Sequence, residues 1–144
     1  MRFNTSMASW CISGLPGDPS DASPDIFRER SRFLDARCEK IGRNPSDIDR
    51  IWTGHVIIAD DKSTANKRID FVRDKIAKTV DRGEMNVDPD HMIRTFIHGT
   101  PEDCLNQMNE LCKAGATNFV LYFDDFPKTE ELELFSKTVL PKLQ

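Results

Sequence analysis

Apolar and polar residues change period several times along this chain, and each change marks an element. Cys104, Leu105, Met108, Leu111 and Cys112 recur at helical spacing among polar residues and form one apolar face. Pro101 stands at the first helical position, where its missing N–H costs nothing, and Thr100 before it is a good N-cap. Glu102 and Asp103 put negative charge in the first turn, with Asp103 at the capping-box position. Gly115, after Lys113, can turn left-handed at no steric cost. The run 118–123 (NFVLYF) is too apolar to alternate, which predicts a strand covered on both faces. Helix, short turn and buried strand together make the αβ half of a βαβ unit, the building block of parallel sheets.

The rest of the chain reads the same way. Residues 6–13, with Trp10 and Ile12 apolar, predict a first strand. Residues 15–24 form a loop rich in Pro, Gly, Asp and Ser, long for a purely structural connection. Ser23 caps a helix that starts at Pro24, with Ile26, Phe27, Leu34, Cys38 and Ile41 as its buried stripe; Gly42 ends it and Pro45 prevents resumption. Residues 51–59 (IWTGHVIIA) predict a second strand. After Asp60 and Asp61 comes a helix whose inner stripe is Ala65, Ile69, Val72, Ile76 and Val80, closed by Gly83. Residues 84–91 are polar and irregular, and 92–97 read as a short strand or loop running into Gly99. A last helix over 129–140 turns Leu132, Phe135 and Val139 inward and stops at Pro141. Strands alternate with helices throughout, which predicts an α/β fold with a parallel sheet.

Composition narrows the class. A chain of 144 residues, 38% hydrophobic and 31% charged, is large enough for one domain spanning 1–144 with its own core. A net charge of -4 without a basic run argues against nucleic acid, and no polybasic or Trp-rich amphipathic face points to a membrane surface. No apolar run approaches the roughly 20 residues that span a bilayer, and the first ten residues lack the apolar core of a signal peptide. The expected compartment is the cytoplasm. The four cysteines fit it: there is no CxxC pair, and Cys104 and Cys112 lie on one helix about 12 Å apart, beyond disulfide reach. Buried, inert thiols are expected.

Four groups of residues are candidates for chemistry. A helix start behind a glycine, at Gly99 and Thr100, is a ready anion site, although a cap for its own helix explains Thr100 equally. Neither GxxxxGK[ST] nor GxGxxG is present. His91 and His98 flank Asp88 and Asp90, but the spacing matches no standard zinc pattern, so no metal is expected. His55, among apolar residues of a strand, reads as a core or barrel-lining histidine rather than a catalytic base. Asp124 and Asp125 follow the last strand, and Ser13 and Gly14 the first. Residues at the carboxyl ends of parallel strands face the site of an α/β protein, so these four either position a substrate or shape the loops they begin.

The run GTPEDCLNQMNELCKAGATNFVLYF, followed by LELFSKTVLPKL, resembles the C-terminal end of luciferase-like monooxygenases. Residues 33–45 (FLDARCEKIGRNP) are similar to that family's helix ending in Ile-Gly-Arg-(Asp/Asn)-Pro. Ala8-Ser9-Trp10 resembles its Ala-Asp-X-Trp-like strand, here without the Asp. The resemblance implies a TIM-type (β/α) barrel that binds reduced FMN or the deazaflavin F420 at the carboxyl ends of its strands. Such a barrel takes about 250 residues. This chain aligns with roughly the last three β/α units, so the resemblance carries over no catalytic residue; it carries over Gly99 and Thr100 as cofactor contacts. It implies a C-terminal portion of a flavin- or F420-dependent oxidoreductase, inactive alone, that self-associates or takes its remaining strands from another chain. The alternative is a non-catalytic α/β binding or interaction module on the same scaffold.

Overall fold

The computed structural model describes residues 8–11, 23–125 and 127–143, the first stretch as backbone only. The elements in order are β1 (Ala8–Cys11), α1 (Pro24–Lys40), β2 (Ile48–Ile58), α2 (Lys62–Asp81), α3 (Pro89–Arg94), β3 (Ile97–Gly99), α4 (Pro101–Lys113), β4 (Asn118–Phe123) and α5 (Glu130–Thr138). Single 3-10 turns cover Pro45–Asp47 and Leu140–Lys142.

Every strand pairing is parallel, as the alternation of strands and helices predicts, and β2 is the centre of the sheet. It pairs with β1 through residues 48–51, with β4 through 51–56 and with β3 through 56–58. The Arg50 carbonyl accepts from the Thr117 N–H at 2.9 Å, whereas the Ala59 N–H donates to the Gly99 carbonyl at 3.2 Å. Peptide groups an odd number of residues apart on an extended strand point to opposite edges, so β4 and β3 flank β2 on either side. The outer edge of β3 is occupied by a side chain. The Gln107 amide accepts from the His98 N–H at 3.2 Å and donates to the His98 carbonyl at 2.7 Å, the two bonds that a neighbouring strand would make.

One face of the sheet carries the main core. Trp52, Val56 and Ile58 of β2 and Ile97 of β3 pack against Phe27 of α1, Cys104, Met108 and Leu111 of α4, and Phe135 of α5. Gly54 lies on this face beneath the Trp52 ring: a Cβ there would stand 2.2 Å from Trp52 Cη2, so only glycine admits the indole. Ile57 points the other way, into a smaller cluster with Ile69, Val72 and Ile76 of α2, Ile93 of α3, and Phe96.

Helix α4 has the expected cap and stripe, and Gly115 turns left-handed at φ 110°. Other expectations change. Residues 92–97 are not a strand: α3 runs from Pro89 to Arg94, capped by Asp88, and β3 begins only at Ile97. Ile41 lies past the end of α1 and is exposed, because the helix stops at Lys40 before the stripe returns to the core. On α5 it is Glu131 that is buried and Leu132 that faces water. Strand β4 is not covered on both faces. Phe119, Leu121 and Phe123 pack against the core, while Val120 and Tyr122 are 43% and 52% exposed, since none of the described helices covers that part of the sheet. Cys38 and Cys104 are buried as expected, but Cys112 is only half-buried.

Candidate functional site

Parallel strands bring their carboxyl ends to one side. Gly99 at the end of β3 and Thr100 after it, and Asp124 and Asp125 after β4, therefore lie at the same end of the sheet. Ser13 and Gly14 lie outside the described residues.

The α4 start is closed by its own side chains. The Thr100 hydroxyl accepts from the Asp103 N–H at 3.3 Å, and the Asp103 carboxylate takes the Thr100 N–H at 3.0 Å and the Thr100 hydroxyl at 2.8 Å. This is a complete capping box. The bonds from Thr100 hold the Asp103 carboxyl below the usual carboxylate range. Gly99 has φ 124°, and a Cβ there would meet the Asp103 side chain at 2.8 Å. The glycine is thus explained by the cap. An incoming phosphate meets a carboxylate already holding the Thr100 donors, so this helix start does not fit an anionic cofactor group as it is arranged.

Asp124 and Asp125 take different partners. His55 pairs in register with Tyr122, which puts Asp124, two residues further, on the same face. His55 Nδ1 lies 3.2 and 3.3 Å from the two Asp124 carboxylate oxygens. With a carboxylate as partner, Nδ1 is the donor and Nε2 is left for another contact. The imidazole stacks on Phe96 at 4.7 Å between ring centroids and leans on Tyr122 at 5.5 Å. His55 is half-buried, on the same face of the sheet as Tyr122 and Ile57. Asp125 turns to α5 instead, accepting the Glu131 N–H at 3.0 Å.

Glu131 is the residue that sequence reasoning missed. It hides in an acidic run that reads as a solvated helix start, yet only 2% of it is exposed. Its visible signal is the stripe Glu131, Phe135, Val139, spaced four and four, on which the carboxylate occupies a core position. Arg68 of α2 donates to it at 3.0 Å, to the Ile58 carbonyl at 2.6 Å and to Glu130 at 3.5 Å, tying α2, the end of β2 and α5 at one point. Burial pushes the Glu131 carboxyl up to about 7; Arg68 opposes the rise, and Asp125 and Asp124 add to it.

The histidines near Asp88 and Asp90 are not assembled into a site. Asp88 caps α3 and Asp90 pairs with Arg73 at 2.7 Å, whereas His98 sits in β3, its pKa lowered by burial. Among the described residues, no group of three or more His, Cys, Asp or Glu is placed to hold a metal ion, and no helix is long and apolar enough to cross a membrane. A cavity of about 420 Å³ lies elsewhere, between the start of α1, the start of β3 and α4, with Trp52, Ile97 and Leu111 among its walls.

Comparison with known proteins agrees with this architecture. The family model described as luciferase-like monooxygenase matches residues 19–118. The 5,10-methylenetetrahydromethanopterin reductase of Archaeoglobus fulgidus is 42% identical over 57 residues, which are 38% of this chain and 17% of that protein. The coenzyme F420 dependent tetrahydromethanopterin reductase from Methanopyrus kandleri superposes with a TM-score of 0.60 at 19% identity, over 85% of this chain and 44% of that one. An F420-dependent secondary alcohol dehydrogenase superposes with a TM-score of 0.68 at 11% identity, over 96% of this chain and 43% of that one. The chain thus spans less than half the length of these proteins, and its α/β fold corresponds to part of a TIM-type barrel. With the match extending over 100 of its 144 residues, from 19 to 118, this chain belongs to the luciferase-like monooxygenase family.

Proposed function

We propose that this chain forms the C-terminal part of an F420- or FMN-dependent oxidoreductase barrel and is inactive until other strands complete it. The observation that carries the reading is the alternation along β4. Its outward residues Val120 and Tyr122, beside His55 on β2, form a partly apolar stretch that none of the described helices covers, next to the part of the same face where Ile57 meets α2 and α3. In a barrel completed by further strands that stretch would be enclosed, and the carboxyl ends of the strands, with Asp124, would form the rim where such enzymes bind ligands. The remaining strands come from a further polypeptide segment or, less completely, from self-association. Gly99 and Thr100 serve the α4 cap in the uncompleted chain, so no chemical step is assigned to them, and no cofactor step is derived from this chain alone.

A second reading, a non-catalytic α/β module, draws support from the same cap, because Asp103 fills the anion position that a cofactor phosphate would use. The test is an anaerobic spectrophotometric assay of the purified chain with F420 or FMN and a candidate alcohol or reduced pterin. The proposal expects no change in cofactor absorbance. Turnover by the pure chain would refute inactivity in isolation.

A further inference from the structure

The two flanks of the sheet are finished differently. The outer edge of β3 is three residues long, and Gln107 fills it. Strand β4 is six residues long and, among the described residues, pairs with β2 alone. A free strand edge is a row of unpaired N–H and C=O groups, and proteins that keep one in water blunt it with a charge, a proline or a bulge. NFVLYF contains no charge and no proline, and its register with β2 runs from Asn118 to Phe123 without a break. The burial of β4 carries the same mark. Val120 and Tyr122 are exposed on one face, and on the other Phe119, Leu121 and Phe123 are only half-buried although they touch the main core. Both faces are short of a neighbour at the same flank, and one further strand beside β4 would supply it.

The phase of the ladder says which groups of β4 face outward. Arg50 turns its backbone to the β4 side: its N–H donates to Thr117 Oγ1 at 2.8 Å, and its carbonyl accepts from the Thr117 N–H at 2.9 Å. Trp52, Gly54 and Val56 follow at steps of two along the strand, so their peptide groups point the same way. Their register partners are Phe119, Leu121 and Phe123, and in a parallel ladder a residue bonds to the neighbours of its register partner. Asn118, Val120 and Tyr122 therefore turn N–H and C=O to β2, and Phe119, Leu121 and Phe123 turn theirs outward.

A second copy of this chain fits this edge in one orientation. Parallel pairing would set Asp124 and Asp125 of both copies side by side, like charges beyond each strand end. Antiparallel pairing sends them to opposite ends, each beside the uncharged Thr117 and Asn118 of the other copy. Centred on Leu121, it sets Phe119 of one copy opposite Phe123 of the other and engages every outward residue of both. Residues opposite one another then share a face, so the two apolar faces run on across the joint. We propose that two copies join edge to edge through antiparallel β4 strands about a two-fold axis. The pairing needs only the edge, so it stands whether or not the barrel reading is right; strands that completed a barrel at β4 would compete for the same groups.

The test is amide hydrogen exchange of the wild-type chain, residue by residue, in dilute and in concentrated solution. A mixture of isotope-labelled and unlabelled copies is read in parallel for contacts between molecules. In dilute solution Val120 and Tyr122 should be protected, while Phe119, Leu121 and Phe123 exchange fast. Raising the concentration should slow those three and leave Val120 and Tyr122 unchanged, and the mixture should show Phe119 of one copy against Phe123 of the other. A chain that stays monomeric would overturn the proposal, and so would association that leaves the three amides fast. Protection of all three already in dilute solution would mean that the chain covers its own edge, and a Phe119-to-Phe119 contact would mean parallel strands; either result also overturns it.

Discussion

Gly54→Ala should destabilise this protein far more than a substitution of glycine in a strand ordinarily does. Gly54 has no left-handed backbone to protect, and alanine alone would be favoured there by roughly 0.5–1 kcal/mol. The obstacle is Trp52, 1% exposed, whose ring lies across the position a Cβ would take. The new methyl carbon would sit 2.2, 2.6 and 2.8 Å from three ring carbons. The indole must move, yet it is enclosed in the main core and leans on Phe119 with centroids 6.1 Å apart. Overpacking of this kind costs about 1–3 kcal/mol, and forcing the ring off its rotamer about 0.5–1.5 more, so a net loss of about 2 kcal/mol is expected. Urea unfolding followed by circular dichroism measures it. A double-mutant cycle isolates the cause: in a Trp52→Leu background the same Gly54→Ala change should cost about 0.5 kcal/mol or less. A loss below about 0.5 kcal/mol in the wild-type background, or an equal loss in both backgrounds, would refute the contact as the reason for the glycine.

Two further outcomes are expected. Thr100→Ala removes the hydroxyl from the capping box and should lower stability by about 1 kcal/mol in the same unfolding assay, whereas an unchanged midpoint would contradict the cap. The open face around Val120 and Tyr122 should make the chain self-associate as its concentration rises, with Val120→Lys shifting the light-scattering mass back toward the monomer. A wild type that stays monomeric throughout would count against it.

Much of this fold was legible because local chemistry and tertiary packing agree in it. Thr100, Pro101 and Asp103 specify where α4 starts, Gly115 where it ends, and Cys104, Met108 and Leu111 which side faces in, all from neighbours in sequence. The failures share a cause of the opposite kind. Leu132 looks like a core residue and Glu131 like a surface one, but the partners that reverse them, Arg68 and Asp125, come from other elements. The apolar composition of β4 implies two covered faces; what leaves Val120 and Tyr122 in water is that none of the described helices packs on that part of the sheet. The candidate site was legible in location, because the ends of parallel strands must coincide. It was not legible in pairing: that Asp124 meets His55 and Asp125 meets α5 depends on the register of β2 with β4. The role of Gly54 was hidden for the same reason, since nothing local to a strand tells which side its tryptophan lies on.

Hydroxyl-radical footprinting of the dilute monomer tests the central claim, that β4 of this barrel-type sheet stands open on one side. Along a single strand, Val120 and Tyr122 should be oxidised readily while Phe119, Leu121 and Phe123 react slowly. Equal protection of both sets would mean that β4 is covered on both sides, and it would contradict its open side.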